Sequence, residues 1–501
     1  MIYLNMSHDG FINDIHPLVR SFLPGEEIEV SYRGEEPGES FFLSVERSVT
    51  KDTGIPLVHC GHVSDEHTSL RQDTDHEGIL ASFEIRDRTG EDRLSMKNEL
   101  KCTLYRQLSD KLKKELPWGT LSGIRPVRLA MNHLKEGFSP EETVRWMQDY
   151  YLTGAEKASL AVDIAVREQR IINKINYPGA FSLYIGIPFC PTTCLYCSFP
   201  SNAIGKWKER TGEYLDCIEK ELLAVKRSFP DRNPVTVYIG GGTPVTLSEE
   251  ELKRLFSMTA DIFDLSSLKE YTVEAGRPDA ITPGKLRILK ENGTDRISVN
   301  PQTMNEETLK KIGRFHTVND TVRAFKEARD AGFDNINMDM ILGLPDEDLS
   351  HVKRTVSGIT ELQPDDLTIH CLAVKRGSAL KEYMDRNGYV CSPDTDEMME
   401  AAARGAEKMG LSPYYLYRQK NMSGNFENTG WSKPGKEGLY NILMMEEVQS
   451  IAAVGAGTVS KYVGPEGDDI SRYGTPRDLK CYLEGIDDII RKKELFFGKT
   501  V

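Results

Sequence analysis

Three cysteines, Cys190, Cys194 and Cys197, stand with three and then two residues between them in the stretch IGIPFCPTTCLYCSFP, Ile185–Pro200. Three thiolates on one short loop can hold three irons of a cubane iron–sulfur cluster, and the fourth iron then has no protein ligand from that loop. An open iron binds something exchangeable, a substrate or a cofactor. A zinc knuckle is the rival reading, but such sites pair Cys-x2-Cys hooks and close the fourth position, and no second hook lies nearby. Further along, Gly240-Gly241-Gly242-Thr243-Pro244 sets three residues without a Cβ in a row, which lets backbone approach a ligand closely.

Elements of two kinds must position these groups. Apolar, β-branched runs recur at 183–189, 235–239, 271–273, 296–299, 336–341 and 367–372. Amphipathic segments at 212–227, 248–263, 283–292, 318–331 and 349–362 lie between them. Strands of buried composition joined by helices imply a parallel sheet, here curled into a partial (β/α)6 barrel. In barrels the active site is built by the loops after the strands' C-terminal ends. Each strand here ends in something chemical: the cysteine loop, the glycine run, Glu274 with Arg277, Asn300 with Gln302, Asp339, and His370 with Cys371.

The chain of 501 residues is too long for one ordinary domain. We expect an N-terminal α+β domain over 1–175, the barrel over 176–390 and a mostly helical, substrate-covering C-terminal region over 391–501. The first has strand-like runs at 27–32, 40–45 and 79–85. A helix is expected over 95–116, where Leu100, Leu104, Leu108 and Leu112 recur every four residues. After it comes LPWGTLSGIRPVRLA, Leu116–Ala130, in which Trp118, Arg125 and Arg128 read either as a packed linker or as a contact to an anionic ligand.

A net charge of −14 argues against nucleic acid as a general partner. No transmembrane segment and no secretory signal are expected. Of nine cysteines only three form a compact motif, so the others read as reduced thiols in a cytoplasmic protein.

The cysteine spacing with Tyr196, together with Tyr184, GGGTP, RISVNPQ, IGRFH and the VGAGTVS loop at Val454–Ser460, resembles the radical S-adenosylmethionine (SAM) superfamily. The phrase around the cysteines is similar to the oxygen-independent coproporphyrinogen III oxidase (coproporphyrinogen dehydrogenase) family, which includes HemZ and the haem chaperone HemW. The resemblance covers about residues 180–462, and the long N-terminal region with WGTLSGIRP looks like HemZ.

The resemblance implies a [4Fe-4S] cluster on Cys190, Cys194 and Cys197, with one or two molecules of SAM. It implies that Gly241, Gly242, Thr243 and Glu274 bind SAM. Gln302, Arg314, Asp339 and Cys371 fall on positions that contact a second SAM, and Tyr184 and Tyr196 on positions beside the cofactors. The implied activity is oxidative decarboxylation of porphyrinogen propionates to vinyls, in haem biosynthesis. The implied partners are a reductant such as flavodoxin or ferredoxin and an electron acceptor. Two departures bear on the activity. Phe199 stands two past Cys197, where many of the oxidases have a fourth cysteine, and Tyr440-Asn441 stands where relatives often show His-Asn. The alternative is a haem-binding chaperone without decarboxylase activity. An acidic chain must hold carboxylates with local cations, for which Arg277, Lys375, Arg376, Arg418 and Lys420 are candidates, then Arg125 and Arg128. A monomer is expected.

Overall fold

The computed structural model describes residues 1–33, 40–47, 78–86, 93–121, 125–175, 180–373, 379–387, 395–418, 426–464 and 469–498. Two compact units emerge: Met1–Val162 with Arg418–Phe426, and Asp163–Tyr417 with Glu427–Val501.

In the first unit, β1 (Ile2–Met6), α1 (Ile12–Phe22), β2 (Ile28–Tyr32), β3 (Ser40–Arg47), β4 (Ile79–Arg86) and α2 (Arg93–Leu112) precede α3 (Pro126–Lys135) and α4 (Pro140–Tyr151). The four strands form a sheet in the order β2-β1-β3-β4. Alternate residues Ile2, Leu4 and Met6 are buried with Leu43 and Val45 against Ile15, Leu18 and Val19 of α1 and Leu100, Leu104 and Leu108 of α2. The leucine repeat read from the sequence is therefore the core stripe of α2. The division between the units falls along α5 (Ala155–Ile175).

The second unit begins with β5 (Phe181–Ile187) and the two-residue strands β6 (Phe189–Cys190) and β7 (Asn202–Ala203). It continues through α6 (Thr211–Ser228), β8 (Pro234–Gly241), α7 (Glu249–Ile262), β9 (Glu270–Gly276), α8 (Pro283–Glu291), β10 (Arg296–Val299), α9 (Glu306–Lys311), α10 (Val318–Asp330), β11 (Ile336–Leu342), α11 (Leu349–Leu362) and β12 (Asp366–Cys371). Helix starts follow local chemistry: Ser248 and Thr317 close capping boxes on α7 and α10, and Asp348 caps α11. β5, β8, β9, β10, β11 and β12 pair side by side in parallel, the partial barrel expected from the strand–helix alternation.

The C-terminal part adds α12 (Ala379–Asn387), α13 (Thr395–Lys408), β13 (Ser412–Tyr417), β14 (Asn428–Ser432), α14 (Leu439–Glu446), β15 (Ser450–Val454), β16 (Val459–Val463), β17 (Ile470–Gly474), α15 (Leu479–Glu484) and α16 (Ile486–Gly498). The expected mostly helical region captures α13 to α16 and leaves out five strands. These extend the sheet at both sides, giving eleven strands in the order β13-β14-β12-β11-β10-β9-β8-β5-β15-β16-β17. The strands that join them to the barrel, β14 on β12 and β15 on β5, have partners distant in sequence, so no local pattern announces those pairings.

The two faces of the barrel strands differ in kind. Leu183, Ile185, Val237, Ile239, Val273, Ile297, Val299, Met338, Met340, Leu367 and Ile369 are buried aliphatics. The alternate residues are polar: Tyr184, Tyr238, Glu274, Arg296, Ser298, Asn300, Asn337, Asp339, Thr368 and His370 line one cavity of about 410 Å³. A barrel interior is ordinarily packed with branched aliphatics. A polar lumen is built to hold something.

Candidate cofactor and substrate site

The cysteine loop is fixed from both sides. β6 pairs with β7, setting Cys190 beside Ala203. Leu195 N–H donates to the Ile312 carbonyl (2.9 Å) and Thr192 Oγ1 to the Gly313 carbonyl (2.8 Å), which ties the loop to the IGRFH segment. Burial pushes the Cys190 and Cys197 thiols up, Cys197 to about 11. Such thiols ionise when a metal takes them, since metal binding drives deprotonation. Among the described residues no three His, Cys, Asp or Glu side chains converge on a single-ion site. Three thiols on a loop suit a cluster, in which each binds its own iron.

The glycine run lies directly against this loop. A Cβ on Gly242 would come within 2.6 Å of the Phe189 carbonyl oxygen and 3.0 Å of Cys190 Sγ. Only glycine permits that approach. The backbone donors are engaged within the protein: Gly241 N–H with Glu274 Oε2 (3.2 Å), Gly242 N–H with the Ile187 carbonyl (2.8 Å) and Thr243 N–H with the Phe189 carbonyl (2.7 Å). The run therefore works by close approach, not as a nest of free donors. Thr243 Oγ1 lies 3.5 Å from Cys190 Sγ.

Glu274 accepts from Tyr238 Oη (2.6 Å), and burial raises its pKa above the ordinary carboxyl value. Tyr184, Tyr238 and Tyr440 stack beside it, with ring centroids 4.5 to 6.0 Å apart. Burial pushes Asp339 up, but His370 and Asn337 outweigh it and hold the carboxyl below its usual range. Asn337 Nδ2 donates to Asp339 Oδ1 at 2.8 Å, and His370 Nε2 lies 3.8 Å from Oδ2. Gln302 is a buried non-glycine residue with φ +66°, a conformation that structures retain at ligand sites. Arg314 donates to Tyr196 Oη (3.2 Å) and the Asn300 carbonyl (2.8 Å). Ser298 Oγ, Asn300 Oδ1, Gln302 Oε1 and Arg314 Nε are buried without a hydrogen-bond partner. Buried polar groups are normally satisfied, so these orphaned atoms and the glycine approach fit a polar cofactor.

Other expected residues lie elsewhere. Cys371, one residue out of step with Thr368 and His370, is buried on the opposite face of β12, so its thiol does not face the lumen. Arg277 is buried and clamped on Asp279 (2.9 and 2.7 Å), with Nη1 3.1 Å from Thr192 Oγ1 and 3.7 Å from Cys194 Sγ. It serves the cysteine loop and has no open edge for a substrate carboxylate. Arg418 belongs to the first unit, where Nη1 donates to the Leu121 carbonyl (2.5 Å) and the guanidinium lies over Trp118. Lys375, Arg376 and Lys420 lie outside the described residues. Tyr238 and Arg296 join the site from β8 and β10, where the signal is polar–apolar alternation in strands that a parallel sheet buries on both faces, and Tyr440, noted above only as a departure from relatives, joins it from α14.

A buried ion pair supports the wall formed by residues 455–458. Lys493 of α16 and Glu221 of α6 pair with neither exposed. Glu221 Oε2 accepts from Gly455 N–H (2.7 Å) and Tyr482 Oη (2.5 Å), and Lys493 also donates to the Ala453 carbonyl. Tyr214 Oη donates to the Gly186 carbonyl (2.6 Å) and accepts from Ala456 N–H (3.1 Å).

Residues 184–357 match the family model described as the radical SAM superfamily. Proteins of this superfamily use a [4Fe-4S] cluster and SAM, and the cysteine loop and lumen above have the donors for both. Over 487 residues, 95% of this chain and 94% of the relative, the chain is 36% identical to the oxygen-independent coproporphyrinogen-III oxidase-like protein HemZ of Bacillus subtilis (strain 168). It is 35% identical over 258 residues to the heme chaperone HemW of the same organism, covering 50% of this chain and 67% of that one. Coproporphyrinogen III oxidase (HemN) from Escherichia coli superposes with a TM-score of 0.51 at 22% identity, covering 64% of this chain and 72% of that chain, a likeness of fold. The chain belongs to the oxygen-independent coproporphyrinogen-III oxidase-like family, with HemZ among its relatives. Among the described residues no helix is long and apolar enough to cross a membrane.

Proposed function

We propose that the protein is an anaerobic radical SAM enzyme that converts propionate side chains of coproporphyrinogen III to vinyls, giving protoporphyrinogen IX. The observation that carries the enzymatic reading is the polar lumen running from Glu274 to Arg296, lined also by Pro188, Phe199 and Pro200, which flank the three cysteines in the chain. The match to the HemZ protein over 94% of its length supports a tetrapyrrole substrate. A [4Fe-4S] cluster held by Cys190, Cys194 and Cys197, with SAM beside it, would supply the radical chemistry that removes one hydrogen atom, CO2 and one electron from a propionate, the electron going to an acceptor. The chain's own groups orient and enclose. Glu274 and Asp339 present carboxylates to ammonium or hydroxyl groups, Gln302 and Arg314 present amide and guanidinium groups, and the tyrosine stack keeps water from the reacting carbon. A reductant such as flavodoxin or ferredoxin supplies the electron that starts each turnover.

The test is anaerobic incubation of the iron-loaded protein with coproporphyrinogen III, SAM and a reductant. Vinyl products with 5′-deoxyadenosine support the enzyme, and Cys194→Ala abolishes both iron content and product. The HemW relatives and Phe199 favour a second reading, a haem-trafficking protein that keeps the cluster. Stoichiometric haem binding without SAM cleavage in the same assay replaces the first reading with the second.

A further inference from the structure

Phe199 is 67% exposed and Val459 is 51% exposed, yet both line the cavity whose interior is polar. With the half-buried Pro200 they give that cavity an apolar rim. Exposed apolar groups clustered at a cavity mouth mark a surface that a ligand covers. The rim is one piece of structure: a Cβ on Gly457 would meet Pro200 Cγ at 2.2 Å and Arg477 Cα at 3.5 Å, and Gly457 N–H donates to the Pro476 carbonyl (2.8 Å). Arg477, itself exposed, donates from Nη2 to the Ser198 carbonyl (2.5 Å), next to Phe199. A guanidinium therefore stands at the edge of the apolar patch, where Arg277 does not.

At about 410 Å³, lumen and rim together are at the small end of the roughly 300–1,000 Å³ range of ligand pockets, so a macrocycle bound along with a cofactor lies largely across the mouth. Among the described residues the one lumen arginine, Arg296, is buried and paired with Asp366, whereas Arg477 at the rim is exposed.

We infer that a tetrapyrrole macrocycle lies with one apolar face on Phe199, Pro200 and Val459 and with one propionate on Arg477, a bidentate-capable cation. This rests on the tetrapyrrole reading above. The ring belongs either to a porphyrinogen substrate or to a haem cargo.

The experiment titrates the cluster-loaded full chain, anaerobically, with coproporphyrin III, its tetramethyl ester and haem, and separately with S-adenosylhomocysteine. Phe199→Ser and Val459→Asn each weaken both porphyrins about tenfold. Arg477→Gln weakens coproporphyrin III about tenfold and leaves the ester unchanged. Leu495→Ala, an exposed apolar change on α16, alters nothing, and S-adenosylhomocysteine affinity stays constant throughout. Tighter binding of coproporphyrin III than of haem marks a substrate and the reverse a cargo, with the rim variants weakening whichever binds. If wild type binds a tetrapyrrole and the Phe199 and Arg477 variants bind it equally well, the rim assignment is wrong. If wild type binds none, the tetrapyrrole reading itself fails and the rim falls with it.

Discussion

Arg277 Nη1 lies 3.7 Å from Cys194 Sγ while the other edge of the same guanidinium is clamped on Asp279. A positive group at a cluster ligand favours the more negative, reduced cluster, since nearby charge and hydrogen bonds to sulfur set the potential. Arg277→Gln should move the cluster potential more negative by about 30–60 mV, where 59 mV is tenfold for one electron. A redox titration followed by electron paramagnetic resonance reads this. An unchanged potential with unchanged iron content removes the role.

Tyr238→Phe tests the lumen carboxylate. The Tyr238 hydroxyl bonds the charged form of Glu274, whose pKa burial has already raised. Losing that bond raises the pKa further. If SAM takes the carboxylate form, affinity climbs as pH rises through this pKa, and the climb in the variant lies at higher pH. One hydrogen bond of about 0.5–1.5 kcal/mol corresponds to a shift of roughly 0.4–1 pH unit. Calorimetric SAM titrations across the acid range decide it, and coincident profiles refute it.

The floor of the lumen is a buried ion pair, Arg296 Nη2 to Asp366 Oδ2 at 3.0 Å. Desolvation outweighs the attraction of Arg296 and raises Asp366 to about 6. A folded-state value above the unfolded one means the folded protein holds this proton more tightly. This group's contribution therefore falls as pH rises from about 4 to about 6, by about 3 kcal/mol, and is flat above. Asp366→Asn, neutral at every pH, should remove that slope from urea-unfolding free energies, and a variant that keeps the wild-type slope refutes the assignment.

Lys493→Met should cost about 3–5 kcal/mol by stranding Glu221, and it carries a second signature. Glu221 also holds Gly455 N–H, so SAM affinity should drop in conditions where the variant is still fully folded. A lowered unfolding midpoint with native SAM affinity would make the pair purely structural.

Local patterns carried most of the barrel into view. The cysteine loop is a matter of spacing, and α11 follows from Asp348 and the apolar repeat of Leu349–Leu362. The strand runs are legible as short apolar, β-branched stretches between amphipathic segments. The polar lumen on their other face needs neighbouring strands in register, so Arg296 and Tyr238 are not legible from one strand alone. Arg277 was misread for a related reason: its partner Asp279 is two residues away, but Cys194 comes close only through the fold. β15 was unreadable as a barrel neighbour, because its partner is β5.

That last pairing bears on how the protein is made. Ser450–Val454 lies in parallel register on Phe181–Ile187, the strand that leads into the cysteine loop. During synthesis β5 leaves the ribosome with one edge unpaired and waits for almost the whole chain before its neighbour exists. An exposed edge is a template for wrong pairing, and contacts so distant in sequence form slowly. The nascent chain thus presents its three thiols before the wall behind them is in place. Iron is then best delivered after release, when the last strand has closed the sheet, and pulse-labelled chains should acquire it only at full length.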